Sequence, residues 1–495
     1  MNPIPLVNEN LAAIGRTVEI PTYDRDRLSP GIVHIGLGNF HRAHQAWYLH
    51  RLFQQGRDHD WAIIGAGVQP YDAEMRRKLA AQDYLTTLIE LDPRGNSAEV
   101  IGSMLGYVVV EDGCAHLVEQ MAEPAIRIVT LTATEGGYFV DPADGSFDSN
   151  HADIQYDARH AGYPRTAFGA IVAALKLRRD RGIGPFTGLS CDNLQGSGKT
   201  LRQAVVSLAA LSDPALAEWI DRHAAFPDSM VDCIVPTTGT RELDLVREFG
   251  IDDAVPVTHE NFRQWVIEDE FCAGRPAWEE AGVIFSDRVP DFERMKIRIL
   301  NGGHQVIAYM SELLGIETVA EAVTHQQVLA MYRKVLRNEV APHVGWVPGY
   351  TAEEYVDLVE RRFSNSAMAD TTRRIAFDGS NRHPGFVRPS IADALRTGAS
   401  VEGLALVSAT WARYCAGFRE DGSLIEPNDP HWNELVRKAK AARERPGAWL
   451  DMPRIYGDLG REPRFADAFE RWLKRIYSAG LKATVDDYLH CIAPE

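Results

Sequence analysis

The residues best suited to chemistry lie in one run, Met-Lys-Ile-Arg-Ile-Leu-Asn-Gly-Gly-His, at positions 295–304. Drawn as a helix at about 100° per residue with Lys296 at zero, His304 falls near ~80°, Asn301 near ~140° and Gly303 near ~−20°. One side of an otherwise apolar helix then carries an amine, an imidazole, an amide and a glycine. A lysine held among Met295, Ile299 and Val306 is partly desolvated, which lowers its pKa toward the range of a useful general base. An amide beside it can donate to the alkoxide-like oxygen left when an alcohol loses its proton. Two adjacent glycines cost a helix about 1 kcal/mol each relative to alanine, so something must approach that backbone closely. The same pattern also fits a surface lysine next to a buried, hydrogen-bonded Asn and His.

A second signal concerns a nucleotide. A short apolar run at residues 31–35 leads into Gly36-Leu-Gly38, and a helical pattern follows over residues 41–55. Between a strand and a helix, such glycines let backbone N–H groups approach a pyrophosphate. The third glycine of the usual G-x-G-x-x-G pattern is replaced by His41, with Ala43 as a nearby small residue. The acid that binds ribose hydroxyls should follow the second strand, residues 61–64, and the first carboxylate beyond its turn is Asp72. A carboxylate there repels a 2′-phosphate and favours NAD, although Arg76 and Arg77 are close and Asp72 also suits a helix N-cap after Pro70. Residues 195–200, Gln-Gly-Ser-Gly-Lys-Thr, end like a phosphate-binding P-loop, but Asn193 stands where that loop needs glycine. No Tyr is followed four positions later by Lys, so the short-chain proton relay is absent. No cysteine cluster supports a catalytic zinc, and His41-x-x-His44 lacks a third ligand. The expected base is therefore a lysine and the expected metal none.

These residues need a scaffold to position them. Strand-like runs at 31–35, 61–64, 84–91, 125–131 and 185–190 alternate with helical stretches such as 166–181, the rhythm of a parallel α/β sheet. The first 28 residues, rich in Pro, Asn and Arg, look like an extension. From about residue 287 the texture becomes long and amphipathic, at 319–339, 352–363, 401–418 and 463–479, without strand alternation. The expected class is α/β: a parallel-sheet, dinucleotide-binding N-terminal domain over 1–286, and a mostly α-helical C-terminal domain over 287–495. The 495 residues carry 52 Lys+Arg against 69 Asp+Glu, a net charge of −17. That acidity disfavours nucleic acid, whose phosphates need a basic surface. No stretch reaches the ~18 apolar residues of a membrane span. Six scattered cysteines and an N-terminus without a signal-peptide pattern suggest a cytoplasmic enzyme.

Taken in order, several motifs resemble those of the mannitol dehydrogenase family, the polyol-specific long-chain dehydrogenases. They are His-Ile-Gly-Leu-Gly-Asn-Phe-His-Arg-Ala-His-Gln at 34–45, Leu-Thr-Ala-Thr-Glu-Gly-Gly-Tyr at 131–138 and Ser-Cys-Asp-Asn-Leu at 190–194. The series continues with Met-Val-Asp at 230–232, Gln-Trp-Val-Ile-Glu-Asp at 264–269, the 296–304 run and Arg-Phe-Ser-Asn at 362–365. The resemblance implies an expanded Rossmann-type N-terminal domain, a largely helical C-terminal domain with the catalytic site between them, and NAD(P)-dependent, zinc-independent oxidation of a secondary alcohol of a polyol. It implies Lys296 as general base, with Asn193 and Asn301 holding the reacting oxygen. His304, Asp232 and Arg374 would bind substrate hydroxyls, and Glu135 and Glu293 would connect the lysine to bulk water. Gly36, Gly38, Asn39 and Phe40 would contact the cofactor, and Asp72 would set the preference for NAD. The expected substrate is D-mannitol, oxidised to D-fructose; D-arabinitol, sorbitol or hexuronates (fructuronate, tagaturonate) are the alternatives. A monomer is expected. The family commonly has Ser where this chain has Gly303, a change expected to widen the substrate face.

Overall fold

The computed structural model describes residues 3–109, 113–133, 135–140 and 145–490. The chain forms two compact units, Met1–Pro290 and Asp291–Glu495.

The first unit is built on five parallel strands: β1 (Pro30–Ile35), β2 (Ala62–Ala66), β3 (Met104–Tyr107), β4 (Ile128–Leu131) and β5 (Thr187–Ser190). Their spatial order is β3-β2-β1-β4-β5. Buried Ile32, Val33, Ile63, Ile128, Val129 and Leu131 make near-continuous apolar runs, as expected of strands covered on both faces. The order reverses between β1 and β4, and in open α/β sheets that switch point is where ligands bind, beyond the carboxyl ends of the strands. This is a Rossmann arrangement. Two three-stranded sheets enlarge it, one with Val257–Glu260, Thr86–Leu91 and Ser97–Ile101, the other with Ile284–Phe285, Gln264–Ile267 and Ser229–Asp232.

Two local expectations are corrected. The first 28 residues are not a detached extension: Ile4–Pro5 pairs in parallel with Ile251–Asp252, and Leu6, Ile14 and Val18 are buried. The helix expected over 41–55 is two helices, Asn39–Ala43 and Gln45–Gln54, broken at His44 (φ −118°, ψ −91°). The Arg263 Nε donates to the Ala43 carbonyl at 2.7 Å, and His44 Nε2 sits 3.0 Å from the Gln264 carbonyl. A side chain inserted into the helical ladder is an ordinary cause of a kink.

The second unit is largely helical, and its β pairing among the described residues is confined to isolated bridges such as Thr318 with Thr371. Its axis is Gly302–Leu314, where Val306, Ile307, Ala308, Tyr309, Met310 and Leu313 are all buried. A helix apolar on every side has to be a core helix. The pattern over 319–339 resolves into Val319–Thr324, Gln326–Val335 and a wide turn at Leu336–Val340, separated at His325, whose extended ψ of 119° stops the first helix.

Candidate active site

In the first unit the glycine turn lies at the switch point. Gly36 has φ +93°, and a Cβ there would stand 2.3 Å from the Thr132 carbonyl oxygen, so only glycine fits between the ends of β1 and β4. The Gly38 N–H donates back to the Gly36 carbonyl at 2.8 Å. Nothing lies within 4 Å of the position a Gly38 Cβ would take, which leaves that backbone open to a ligand. The third glycine slot is filled by His41, whose ring stacks on His34 of β1 with centroids 3.5 Å apart and 14° between planes. Flat stacking of two buried imidazoles replaces the close approach a glycine would allow. Burial pushes His34 down to about 3 and His41 well below its ordinary value, so both are neutral.

Asn39 is engaged by the scaffold. Its Nδ2 donates to Pro236 O and Thr238 Oγ1, both at 2.9 Å, and its Oδ1 accepts from Arg42 Nη2 at 2.7 Å. Its side chain is thus taken up by the scaffold, and the Phe40 ring stacks on His44. Arg42, which sequence reasoning passed over, is fully buried beneath this turn and also donates to Gly38 O and Val255 O.

A cavity of about 620 Å³ opens at the strand ends, lined by Gly36, Gly67, Gln69, Asp72, Thr132 and Phe139 among others. The Val68 and Gln69 N–H groups both donate to Asp72 Oδ2 at 3.0 Å, and a Cβ on Gly67 would lie 2.2 Å from that same oxygen. Asp72 thus folds the turn after β2 and also presents a carboxylate in the cavity. The helix N-cap expected here is not Asp72 but Tyr71, which makes no side-chain cap bond; the Asp72 carboxylate instead ties down the turn that precedes the helix.

Asn193 is exposed on the loop after β5. Its neighbour Asp192 accepts from Ala133 N–H at 2.9 Å and from Tyr138 Oη at 2.6 Å, and Tyr138 Oη is 2.7 Å from Ser190 Oγ. These bonds lace the ends of β4 and β5 together and hold the loop. Asp232 is buried at the end of Ser229–Asp232, paired in register with Gln264. Glu135 opens the Glu135–Tyr138 turn, and its side chain lies outside the described residues.

In the second unit, Glu293 and Lys296 are both buried, three residues apart on one helical run. The α-helical projection fails at Lys296–Asn301, which is a π-helical turn in which the Gly302 N–H reaches back to the Ile297 carbonyl. Such a turn is in effect one residue inserted into an α-helix, which rotates everything after it by about 100°. Asn301 moves from about 140° to about 40° and His304 from about 80° to about −20°, both onto the Lys296 face. Gly303 swings to about −120°, away from it. Contacts agree: a Gly303 Cβ would be 3.0 Å from Tyr332 Cε2 and 3.4 Å from Leu336 Cδ1. Glycine here admits the core aromatics, so it does not widen a substrate face as expected.

Asn301 Oδ1 and His304 Nε2 are buried and have no hydrogen-bond partner among the described residues. Orphaned buried polar atoms are uncommon and often mark a ligand site. The His304 ring stacks on Phe363 (4.4 Å, 13°), and burial together with Arg374 pushes it down to about 3, so it is neutral, with one donor and one acceptor nitrogen. Arg374 is held by a bidentate pair with Asp370, Nε to Oδ1 and Nη2 to Oδ2. Asp370 and Phe363 were missed; the i, i+4 spacing of Asp370 and Arg374 was the available signal. Among the described residues no three His, Cys, Asp or Glu side chains group as a metal-ligand set, and no helix is long and apolar enough to cross a membrane.

Comparison with known proteins agrees along the whole chain. Residues 30–280 match the mannitol dehydrogenase Rossmann domain and residues 288–477 the mannitol dehydrogenase C-terminal domain. A mannitol 2-dehydrogenase of Cereibacter sphaeroides is 53% identical over 474 residues, 96% of this chain and 99% of that one. One from Aspergillus clavatus is 39% identical, over 99% and 100% respectively. Among solved structures, Pseudomonas fluorescens mannitol 2-dehydrogenase in ternary complex with NAD and D-mannitol has a TM-score of 0.86 at 40% identity, covering 98% of this chain and 99% of that one. A substrate-free D-sorbitol dehydrogenase has a TM-score of 0.91 at 34% identity, covering 97% and 100%. The chain belongs to the mannitol dehydrogenase family.

Proposed function

We infer that the protein is an NAD-dependent polyol dehydrogenase that oxidises D-mannitol to D-fructose with Lys296 as general base. The observation that carries this reading is the π-helical turn, which sets a buried lysine on one face with two unpartnered buried polar atoms, Asn301 Oδ1 and His304 Nε2. The glycine turn, the strand-end cavity and the Asp72 carboxylate fit a dinucleotide without a 2′-phosphate. NAD, when bound, supplies the hydride acceptor. Lys296 takes the hydroxyl proton as the C–H hydride leaves, and the amides of Asn193 and Asn301 donate to the oxygen as it gains negative charge. Neutral His304, Asp232 and Arg374 recognise the flanking hydroxyls. Glu135 and Glu293 carry the proton from the lysine to solvent. No step asks a metal ion to polarise the alcohol. A cytoplasmic location fits the scattered cysteines, and a monomer is what the family resemblance implies; cell fractionation and light scattering test those two points.

Replacing Lys296 with Met keeps the length of the stem and removes the base. NADH formation from mannitol should fall by about 10²–10⁴-fold, the usual scale of general base catalysis. NADH binding should be retained. Unchanged turnover would remove Lys296 from the mechanism. A panel of mannitol, sorbitol, arabinitol and fructuronate, read by NADH absorbance, ranks the substrate.

A further inference from the structure

Under the function proposed above, Arg374 meets substrate hydroxyls, and its surroundings set what else it can accept. Its guanidinium is gripped from one side by Asp370, with Nη2 2.5 Å from Oδ2 and a second, shorter contact from Nε to Oδ1. The carboxylate is well shielded, at 11% side-chain exposure, while the arginine remains 53% exposed. Pairing with Asp370 pushes Arg374 above its ordinary pKa, so the guanidinium stays charged. Its backbone is pinned as well. The Arg374 N–H donates to Thr371 Oγ1 at 3.2 Å, and Arg382 Nη1 donates to Arg374 O at 3.3 Å. The charges acting on His304 show what the carboxylate does: Arg374, Arg382 and Arg362 depress the imidazole pKa, and Asp370 opposes them.

We propose that Asp370 is a positioning residue that sets substrate class: by holding Arg374 bidentately and cancelling its charge, it makes this arginine a donor to neutral polyol hydroxyls and an unfavourable partner for sugar carboxylates. A bidentate carboxylate already occupies the Nε/Nη2 edge of the guanidinium, leaving Nη1 and the second N–H of Nη2 to donate. An approaching substrate carboxylate would find one guanidinium edge taken and a second anion beside it. Without the Asp370 charge, the Arg374 guanidinium beside His304 would be uncompensated and a better partner for a carboxylate.

The test is Asp370→Asn in the full-length enzyme, with Asp370→Glu as the conservative control. For D-mannitol, Asp370→Asn should raise KM about tenfold or more with kcat much less affected. For fructuronate, measured as NADH consumption, kcat/KM should rise at least about tenfold above the parent enzyme. Asp370→Glu should restore much of the mannitol KM and none of the fructuronate gain. If Asp370→Asn does not fold, judged by its melting curve and NADH binding, Asp370→Ala carries the same comparison, with the same rise in mannitol KM and the same gain with fructuronate. A parent enzyme that oxidises mannitol while Asp370→Asn leaves the mannitol/fructuronate ratio unchanged overturns this proposal alone. A parent that oxidises no polyol overturns the functional reading on which it rests.

Discussion

Arg42 offers the sharpest test of how the nucleotide turn is held. Its guanidinium is fully buried, and it donates to Gly38 O at 3.3 Å, to Asn39 Oδ1 at 2.7 Å and to Val255 O. Burial pushes its pKa down to about 10, opposed by the Asp253 carboxylate. Asp253 is itself buried, accepting from Thr87 N–H at 2.7 Å, Val255 N–H at 2.8 Å and Gln82 Nε2 at 2.9 Å. Arg42→Met keeps most of the volume and removes the fork. Three charge-assisted bonds at about 1.5–3 kcal/mol each give a gross loss of roughly 5–9 kcal/mol. Methionine offsets part of this by needing no desolvation, and the buried acceptors it leaves unpaired cost about 1–3 kcal/mol each, for a net loss of about 3–5 kcal/mol. At about 2–4 °C per kcal/mol for a large domain, melting of the first unit should drop by roughly 6–20 °C. The NADH Kd should rise by at least about tenfold, because the Gly38–Asn39 turn loses its two bonds to Arg42 and keeps the Asn39 Nδ2 contacts to Pro236 and Thr238. Calorimetry and fluorescence titration read the two effects. In the double variant Arg42→Met/Asp253→Asn the costs should overlap, with a coupling of about 0.5–3 kcal/mol. A melting shift under 2 °C, or strict additivity, would refute the assignment of Arg42 and Asp253 as a coupled support.

Two further perturbations read other parts of the molecule. Asp72→Ala should raise the NADP/NAD efficiency ratio, yet also lower activity with NAD, because the Val68 and Gln69 N–H groups lose their common acceptor at a cost of about 1–3 kcal/mol; an unchanged ratio would sink the cofactor role. Stability should fall on acidification from pH 7.5 to 5.5, as read from urea midpoints. His34, His50, His259, His304 and His383 are held neutral by burial at about 3 against an unfolded value near 6.5. The unfolded chain alone therefore takes up protons below about 6.5, at about 1.4 kcal/mol per histidine per pH unit. Glu99, Asp253 and Glu339, pushed up by burial, work against this with the opposite sign. An unchanged midpoint would mean the histidines are not locked neutral.

What the sequence made legible were features written locally. The strand before Gly36, the helix after it and the β rhythm through 185–190 need only nearest-neighbour patterning, and they led to the parallel sheet. The two compact units and the helical character of the second follow from periodicity in the same way. The misses share a different cause. His44 breaks its helix because Arg263, more than two hundred residues on, takes the Ala43 carbonyl. Arg42 is a support because Val255 and Asp253 lie under it. Ser229–Asp232 and Gln264–Ile267 are strands through their antiparallel register with each other. None of these partners is encoded near the residue it determines, so no local pattern could name them.

The π-helical turn at Lys296–Asn301 shows how much such a feature can change a site. On an α-helix, Lys296 and Asn301 would face directions about 140° apart, too divergent to act on one oxygen. One extra residue in the turn brings Lys296, Asn301 and His304 to within about 60° of one another and sends Gly303 toward Tyr332 and Leu336. The wide turn has poorer hydrogen-bond geometry than an α-helix, and adjacent Gly302 and Gly303 add to the backbone cost. The structure meets that cost where the turn ends, in the buried Gly302–Leu314 helix and its aromatic neighbours. It follows that a larger residue at 303 acts on the site only indirectly. A Cβ there would press on Tyr332 and come within 3.7 Å of Phe363, the ring that carries His304. Differences at this position among relatives should therefore tune the orientation of His304, and the volume available to the polyol should be set elsewhere.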